Sequence, residues 1–418
     1  MQEMKDSGMI RLKYVVDIFG RIGFRGYTEQ DLVDENEGVI TLSPSNIQNM
    51  KMDYSKCSFL TWQKYYESPE IKIKNGDILF VKTGSTYGKV GYVENLPMEA
   101  TINPQLVVFK NISMNSKLLF YMLQMSFVKD QCELAVVGGT IPTMSQVKIG
   151  NIYIPFPSLD EQQRIAEFLD RECGKIDGLK ADIQAQIDTL EQYKRSVITE
   201  TVTHGLNQSA PMKDSGAGWM PLIPLHWEAD KLKFHLRQRG IKNQKDKQVL
   251  SLYREYGIVP KDSRDDNHNV TSEDVSDYRY VRVGDFVVNK MKAWQGSVAV
   301  SNYEGIVSPA YFVYEFSDDL INKRYFHYLM RNKTYATEFR RLSGGIREGQ
   351  WDLPSEALNN TIILLPPLDE QQEIADYLDN KCAEIEQIIA DKKSQIETLD
   401  NYKKSLIFEY VTGKKEVV

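Results

Sequence analysis

The sequence predicts an α+β protein with two mixed α/β domains, each followed by one long helix, and with the two helices packed together as a coiled coil. Three observations predict this architecture. A helical segment occurs twice, at an offset of 209 residues between Leu159 and Leu368 in a chain of 418. The blocks in front of its two copies share short motifs. Those blocks are also rich in β-branched residues and alternate apolar with polar positions, as strands do.

The repeated segment keeps its register from end to end. Residues 157–203 read PSLDEQQRIAEFLDRECGKIDGLKADIQAQIDTLEQYKRSVITETVT, and residues 366–412 read PPLDEQQEIADYLDNKCAEIEQIIADKKSQIETLDNYKKSLIFEYVT. Both contain LDEQQ, IA, LD, QI-x-TL, YK and VT, without a gap. Chance similarity between two charged helices would not keep this register, so the two halves of the chain are related.

Each copy predicts a helix that starts just after proline. Asp160 with Gln163, and Asp369 with Gln372, have the spacing of a capping box. A residue of the predicted coiled-coil seam then recurs every seven positions: Leu169, Ile176, Ile183, Leu190 and Val197 in the first copy, and Leu378, Ile385, Lys392, Leu399 and Leu406 in the second.

Residues three positions further along complete the predicted seam: Leu179 and Tyr193 in the first helix, and Ile388 and Tyr402 in the second. Gln186, Gln395 and Lys392 are polar residues in the seam, which favour one register over its alternatives. The alternative is that the two helices remain apart and each covers its own domain.

The blocks in front of the helices are related more weakly. MKDSG occurs at residues 4–8 and again at 212–216, Asn103-Pro104 aligns with Ser308-Pro309, and Gly138-Gly139 aligns with Gly344-Gly345. The predicted boundaries are 1–157 for the first mixed domain, 158–209 for the first helix, 210–366 for the second mixed domain and 367–418 for the second helix. Helical patches are predicted near 118–128 and 325–339.

The formal charge of −7 comes from the helices. Residues 159–203 carry ten acidic and six basic residues, and residues 368–412 carry eleven and five, out of 58 acidic and 51 basic residues in all. The rest of the chain sums to +3, and residues 231–247 hold seven Lys or Arg. Net charge therefore does not exclude a nucleic-acid partner.

Several classes of protein are disfavoured. No apolar run suits a membrane span or a signal peptide, and four scattered cysteines fit neither a disulfide framework nor a zinc ribbon, so we expect a cytoplasmic protein without a metal. Gly84 to Val90 has three residues between its glycines and a valine where a phosphate-binding loop needs Ser or Thr. We expect no active site in this chain.

The proline-led LDEQQ at residues 157–163 and 366–372 stands each time behind a block with a Gly-Asp pair and a loop, TGSTYGKV at 83–90 or NKMKAWQG at 289–296, the latter followed by GIVSPAY at 305–311. These motifs resemble the specificity subunits of type I restriction-modification enzymes over nearly the whole chain. One departure is that GWMPLIPLHWEAD, at 218–230, has no counterpart in the first half, although family members commonly carry it twice.

The resemblance implies that the mixed domains are target-recognition domains for the two halves of an interrupted DNA site. It also implies that the helices form an antiparallel spacer with pseudo-twofold symmetry, which sets the gap and docks two methyltransferase subunits. Restriction and translocase subunits are further expected partners. S-adenosylmethionine, ATP and Mg are expected on those partners only, and no cofactor is expected on this chain.

Two candidate loops in each domain have residue types suited to DNA. The candidates are Lys82, Ser85, Thr86 and Lys89, then Thr140, Thr143 and Gln146, in the first domain, and Lys290, Lys292, Trp294 and Gln295, then Arg347 and Gln350, in the second. The alternatives are simple hairpin turns with exposed lysines and, for Trp294, a place in the core. For the whole chain, they are a recognition fragment of a fused restriction enzyme, or a coiled-coil scaffold without a DNA role.

Overall fold

The computed structural model describes residues 8–21, 23–136, 141–254, 256–264, 271–345 and 351–417. The chain divides into two compact units, of which unit 1 comprises residues 1–183 and 393–418 and unit 2 comprises residues 184–392. Both long helices, α5 (Leu159–His204) and α10 (Leu368–Val411), cross a boundary between the units. Each unit therefore contains one mixed domain and a part of both helices.

In its described residues, the mixed domain of unit 1 contains short strands and four short α-helices. The strands are β1 (Met9–Arg11), β2 (Asp17–Gly20), β3 (Leu32–Val33), β4 (Gly38–Leu42), β5 (Ile47–Gln48), β6 (Lys51–Met52), β7 (Ser58–Thr61), β8 (Ile78–Val81), β9 (Val90–Tyr92), β10 (Ala100–Ile102), β11 (Leu106–Lys110) and β12 (Tyr153–Pro155). The helices are α1 (Trp62–Tyr66), α2 (Ser116–Met122), α3 (Ser126–Ala135) and α4 (Gln146–Gly150) among the described residues. Short 3-10 helices cover Leu12–Tyr14, Gly23–Arg25, Glu29–Asp31, Pro44–Asn46 and Pro69–Ile71.

The mixed domain of unit 2 follows a similar order. Its strands are β13 (Met212–Asp214), β14 (Leu222–Pro224), β15 (Glu228–Lys231), β16 (Leu236–Arg239), β17 (Leu250–Tyr253), β18 (Gly257–Pro260), β19 (Arg279–Val281), β20 (Phe286–Asn289), β21 (Val298–Val300), β22 (Gly305–Val307), β23 (Tyr311–Phe316) and β24 (Ile362–Leu365). Its described helices are α6 (Leu232–His235), α7 (Lys323–Arg331), α8 (Lys333–Leu342) and α9 (Ser355–Asn359), with 3-10 turns at Lys261–Ser263 and Ala293–Gln295.

The two mixed domains share one sheet order. In unit 1, strands β2, β11, β8 and β9 are neighbours in that order, and the sheet continues into β6 and β5. In unit 2, the corresponding order is β16, β23, β20 and β21. A separate antiparallel pair joins the start of each domain to the strand before its long helix, β1 to β12 in unit 1 and β15 to β24 in unit 2. The α+β class and the helical patches are confirmed.

The core of each unit combines its mixed domain with both long helices. In unit 1, Leu169 and Ile176 of α5 and Leu406 of α10 are buried in one cluster with the sheet residues Phe80 and Phe109. In unit 2, Val197 of α5 and Leu378 of α10 are buried with Trp227 and Phe286. Burial of this apolar surface holds each pair of helical segments against its own domain.

The predicted capping box is wrong in both helices. Helix α5 begins at Leu159, and the backbone N–H and Oγ of Ser158 donate to Glu161 Oε2 at 2.9 and 2.6 Å. In the second copy a proline replaces this serine, and Glu370 accepts from Trp227 Nε1 at 3.1 Å instead. Trp227 belongs to the segment 218–230 that the first half lacks, and its side chain is completely buried. That segment therefore supplies the partner of the carboxylate in unit 2.

All ten residues of the predicted seven-residue seam are buried or half-buried, but the predicted intervening positions are wrong. Leu179, Tyr193 and Tyr402 are 53%, 49% and 57% exposed, whereas Ile187 is 1% exposed. Buried residues lie four positions after six of the ten seam residues: Cys173, Ile187 and Thr201 in α5, and Cys382, Ile389 and Lys403 in α10. Three-residue and four-residue spacings are both typical of a helical face, so the burial was needed to distinguish them.

Within each unit the two helices run antiparallel. In unit 1, Lys403 Nζ donates to Asp177 Oδ1 at 2.7 Å, and Lys180 pairs with Asp400. In unit 2, Lys392 Nζ donates to Gln186 Oε1 at 2.5 Å, and Lys194 pairs with Glu386. As the residue number rises along α5, the partner's number falls along α10. The predicted helix pairing is therefore confirmed, and Lys392 and Gln186, two polar residues of the predicted seam, contact each other across it.

The two glutamines of LDEQQ attach each mixed domain to its helix. Gln162 is 1% exposed; its Oε1 accepts from the backbone N–H of Asn115 at 2.9 Å, and its Nε2 donates to the Pro157 carbonyl at 2.9 Å. Gln371, also 1% exposed, accepts from the backbone N–H of Asn322 at 2.8 Å.

The second glutamines, Gln163 and Gln372, are exposed and accept from the side-chain amides of the same two asparagines, at 2.8 and 2.6 Å. Each asparagine also caps a helix of its domain, α2 or α7, through its side-chain oxygen. The identical QQ pair therefore fixes the position of a helix start in both units.

A tyrosine and an aspartate make a second equivalent contact. The Tyr121 hydroxyl donates to Asp170 Oδ1 at 2.6 Å in unit 1, and the Tyr328 hydroxyl donates to Asp379 Oδ1 at 2.8 Å in unit 2. Burial and the bond to the carboxylate raise the pKa of both hydroxyls well above the ordinary value, so both remain protonated donors.

The glutamine contact makes a first prediction. Gln162→Ala removes the partners of a backbone N–H and a carbonyl, and we expect it to lower the free energy of unfolding by about 2 kcal/mol. The neighbouring Gln163→Ala removes exposed bonds only and should cost less than about 1 kcal/mol. Urea unfolding of the full chain measures both, and equal losses would contradict the assigned role of Gln162.

The seam makes a second prediction. Ile187→Ala leaves a cavity between the helices and should lower the free energy of unfolding by about 2–4 kcal/mol. Leu179→Ala, at an exposed position, should change it by no more than about 0.5 kcal/mol. Thermal unfolding followed by far-ultraviolet circular dichroism checks this order. The far-ultraviolet signal measures the helix content of the chain, most of which lies in α5 and α10. A larger effect at Leu179 would restore the originally predicted seam.

Candidate nucleic-acid interface

Three chain segments of unit 1 meet where strand β8 ends. We call residues 82–89, 103–105 and 141–146 loop cluster 1. The backbone N–H of Lys82 donates to the Gln105 carbonyl at 2.9 Å, and the Lys82 carbonyl accepts from the backbone N–H of Met144 at 2.9 Å. The backbone N–H of Gly84 donates to the Pro142 carbonyl at 3.0 Å. The structure thus brings the two predicted loops of the first domain together.

Unit 2 repeats this clamp at the end of β20. Residues 290–296, 308–310 and 351–353 form loop cluster 2. The backbone N–H of Lys290 donates to the Ala310 carbonyl at 3.2 Å, and the Lys290 carbonyl accepts from the backbone N–H of Leu353 at 3.0 Å. Leu353 and its counterpart Met144 are both completely buried, so each clamp is anchored in the core of its unit.

The predicted residues of loop cluster 1 differ in exposure. Ser85, Thr86, Thr143 and Gln146 are exposed, while Lys82 and Lys89 are half-buried. Burial lowers the pKa of Lys82. Thr140 lies outside the described residues.

Gln146 begins helix α4, and its side chain lies against strand β2: a Cβ at Gly20 would approach Gln146 Nε2 to 2.8 Å. A glycine at residue 20 therefore gives this side chain its room.

In loop cluster 2, Lys292 and Gln295 are exposed. Lys290 is half-buried and pairs with Asp352 at 3.0 Å, so its charge is offset locally. Trp294 is also half-buried; its Nε1 donates to the Met291 carbonyl at 3.0 Å, and its ring centroid lies 5.5 Å from that of Trp351. Arg347 and Gln350 lie outside the described residues.

The basic stretch 231–247 is less available to phosphate than its sequence suggests. Lys242 pairs with Asp277 at 2.9 Å, and Lys247 pairs with Glu304 at 2.8 Å. Lys245 lies 3.5 Å from a carboxylate oxygen of Asp274. Arg239 also pairs with two carboxylates, those of Asp285 and Glu315. Local carboxylates therefore neutralise four of the seven cations in this stretch, which sequence spacing could not show.

The turn of residues 103–105 was not among the sequence-predicted loops. It lies inside loop cluster 1 because the backbone carbonyl of Gln105 accepts from the backbone N–H of Lys82. The corresponding turn of unit 2, residues 308–310, holds Lys290 in the same way. The signal for it was the alignment of Asn103-Pro104 with Ser308-Pro309, which stand just before strands β11 and β23.

The glycine-rich segment of loop cluster 1 does not form a phosphate-binding loop. It leads from strand β8 into strand β9, whereas phosphate loops lead into the N-terminus of a helix. Gly84 and Gly88 have φ values of +105° and +80°, so both use the left-handed region that favours glycine. The segment is a turn that orders its backbone between two strands.

Other chemistry is limited among the residues that the structure describes. They contain no group of three or more His, Cys, Asp or Glu residues placed to hold a metal ion. Burial raises the pKa of the Cys132 thiol to about 12 and that of Cys173 to about 11, so both remain protonated. No helix in the described part of the chain has the length and apolar character needed to cross a membrane.

Comparisons with known proteins agree with the two-fold internal repeat. A family model described as the type I restriction modification DNA specificity domain matches residues 10–189 and again residues 235–398. The type I restriction enzyme MjaVIII specificity subunit of Methanocaldococcus jannaschii is 28% identical over 372 residues, which cover 83% of this chain and 81% of that protein. The EcoKI specificity subunit of Escherichia coli is 21% identical over 397 residues, covering 88% and 81%.

A solved structure described as "Structural basis underlying complex assembly and conformational transition of the type I R-M system" has the same fold. It aligns with a TM-score of 0.65 at 16% identity and covers 96% of this chain and 97% of that one. Because the family model matches most of both halves, the chain belongs to the family of type I restriction-modification specificity subunits.

Proposed function

We propose that this chain reads double-stranded DNA for a type I restriction-modification enzyme, with each unit binding one half of a bipartite, asymmetric site. The observation that carries this proposal is the repeated clamp at Lys82 and Lys290. The backbone frame is the same in both units, but the exposed side chains differ: Ser85 and Thr86 in one, Lys292 and Gln295 in the other. A common frame with unlike side chains suits two different half-site sequences.

Phosphate contacts would supply the affinity. Among the described residues, neither Lys82 nor Lys89 forms an ion pair with a carboxylate. Lys82 is half-buried, and burial lowers the pKa of its ammonium group. A DNA phosphate would replace the water contacts that the Lys82 ammonium group loses by burial. This favours an arrangement in which Lys82 and Lys89 contact the DNA backbone, while the hydroxyls of Ser85 and Thr86 lie nearer the base edges.

The paired helices would set the gap between the half-sites and dock two methyltransferase subunits. Their antiparallel contacts recur in both units, and their ion pairs fix the register, as a spacer of defined length requires. Methylation, translocation and cleavage would then belong to the methyltransferase and restriction subunits. S-adenosylmethionine, ATP and Mg would likewise be bound by those chains, in the cytoplasm.

A third prediction concerns the phosphate contacts. Lys89→Ala should weaken duplex binding to a similar extent on all sequences and reduce the slope of log K against log salt by about 1. Lys242→Ala is the matched control, because Asp277 already pairs with this lysine, and its slope should stay unchanged. A salt titration with the assembled methyltransferase complex measures both variants. An unchanged slope in Lys89→Ala would contradict the phosphate contact, and no duplex binding by the wild-type complex would instead support a scaffold without a DNA role.

A fourth prediction concerns the spacer. One heptad inserted after Gln186 and another after Lys392, which contact each other, would lengthen both helices while keeping them paired. Seven residues at about 1.5 Å each add roughly 10 Å, or about three base pairs at roughly 3.4 Å per pair.

Mapping of methylated adenines should show the two half-sequences unchanged and the gap lengthened accordingly. A heptad in α5 alone is the control, since it leaves seven residues unpaired and should lower the unfolding temperature instead. An unchanged gap in the double insertion would contradict the role of the helices as a ruler.

A further inference from the structure

The turn of residues 103–105 holds two amide side chains inside loop cluster 1. The backbone N–H of Asn103 donates to the Leu42 carbonyl at 2.8 Å, and the Gln105 carbonyl accepts from Lys82, so the turn is tied to β4 and to the end of β8. The Gln105 side chain is exposed and lies close to the segment 82–89 of loop cluster 1, since a Cβ at Gly84 would be 3.7 Å from Gln105 Nε2. This amide therefore stands among the residues proposed above to meet DNA.

Hydrogen bonds fix which way each amide points. The backbone N–H of Gln105 donates to Asn103 Oδ1 at 3.0 Å, which identifies that atom as the oxygen of the amide. Asn103 Nδ2 then donates to Gln105 Oε1 at 3.1 Å. The Gln105 amide is thereby held with its oxygen towards Asn103.

The contacts of Gln105 leave part of its amide available. No described residue accepts from Gln105 Nε2. Its Oε1 keeps a second lone pair after accepting from Asn103. One N–H donor and one acceptor therefore remain side by side, in an orientation that the protein sets before any ligand binds.

An adenine presents the complementary pattern. In the major groove its N7 accepts and its N6 amino group donates, so a glutamine amide binds it through two parallel hydrogen bonds. Guanine offers two acceptors at this edge, and the pyrimidines offer a single donor or a single acceptor. An amide that cannot turn round distinguishes adenine from guanine better than a freely rotating one.

We propose that Gln105 is a specificity-determining residue that reads one adenine in the half-site bound by unit 1, and that Asn103 is the positioning residue that holds its amide. This inference rests on the proposed DNA-reading function.

The corresponding turn of unit 2 has the same backbone but no such reader. There the Ala310 backbone N–H lies 3.4 Å from Ser308 Oγ, as Gln105 N lies near Asn103 Oδ1. Alanine replaces the glutamine, and serine replaces the asparagine. The adenine contact therefore belongs to one half-site, and its loss should leave the other half-site unchanged.

The test uses the chain assembled with its methyltransferase partners and genome-wide mapping of methylated adenines. Gln105→Ala should relax the preference at one position of one half-site by about 5- to 150-fold, with the other half-site and the gap unchanged. Gln48→Ala is the matched control: it removes another exposed glutamine of unit 1, one that donates to Asp53 at 2.9 Å, and should leave the map unchanged.

Two further variants test the orientation of the amide. Gln105→Glu keeps the side-chain shape and the acceptor for Asn103 but loses both Nε2 donors, so it should lose adenine at that same position. Asn103→Asp still accepts from the Gln105 backbone but cannot donate to Oε1, which allows the amide to turn. The Asn103→Asp variant should weaken the same preference, while the unfolding temperature of the protein stays at the wild-type value.

The outcomes separate the two proposals. Relaxation at a single position of one half-site supports the role of Gln105. An unchanged recognition sequence in Gln105→Ala, or changes spread over both half-sites, overturns it and leaves the proposed DNA-reading function standing. If the alanine variant methylates too weakly to be mapped, Gln105→Glu decides by the same criterion. Absence of any sequence preference in the wild-type complex would overturn the proposed function itself.

Discussion

A buried glutamine amide joins each mixed domain to the long helix that follows it. Gln162 in unit 1 and Gln371 in unit 2 are almost fully enclosed, and each satisfies a backbone N–H of its domain together with a carbonyl just before its helix. A buried amide that lost these partners would carry the full cost of desolvation, so the domain is held at one place on the helix. The position of the sheet, and of the loops at its end, depends on this contact.

The paired helices combine apolar burial with polar contacts that fix their register. Ile187 and Ile389 bury apolar surface, while Lys403 with Asp177 and Lys392 with Gln186 pair only when the helices are correctly aligned. Apolar contacts alone would allow the helices to slip by a heptad, and such slippage would leave the buried Lys403 ammonium group without Asp177. A spacer between two recognition units needs this definition of length.

The loop clusters show how one frame can present different chemistry. The clamp uses backbone atoms only, at Lys82 and at Lys290, so it places few demands on side chains apart from buried anchors such as Met144 and Leu353. Exposed positions on the clamp can therefore differ between the units without loss of stability. The same independence allows unit 1 to carry an oriented amide pair where unit 2 has serine and alanine.

The sequence by itself determined the duplication, the long helices, the α+β class and the seven-residue seam, because these depend on periodic patterns and on a repeat that a single chain displays directly. Only the tertiary structure decided the remaining features. Burial placed Ile187 rather than Leu179 in the seam, since spacings of three and four residues look alike on a helix. Hydrogen bonds and ion pairs across the chain joined Trp227 to Glu370, paired the cations of 231–247 with carboxylates, and brought Gln105 beside Lys82. Such contacts join residues far apart in the chain, and no local pattern encodes which of them will meet.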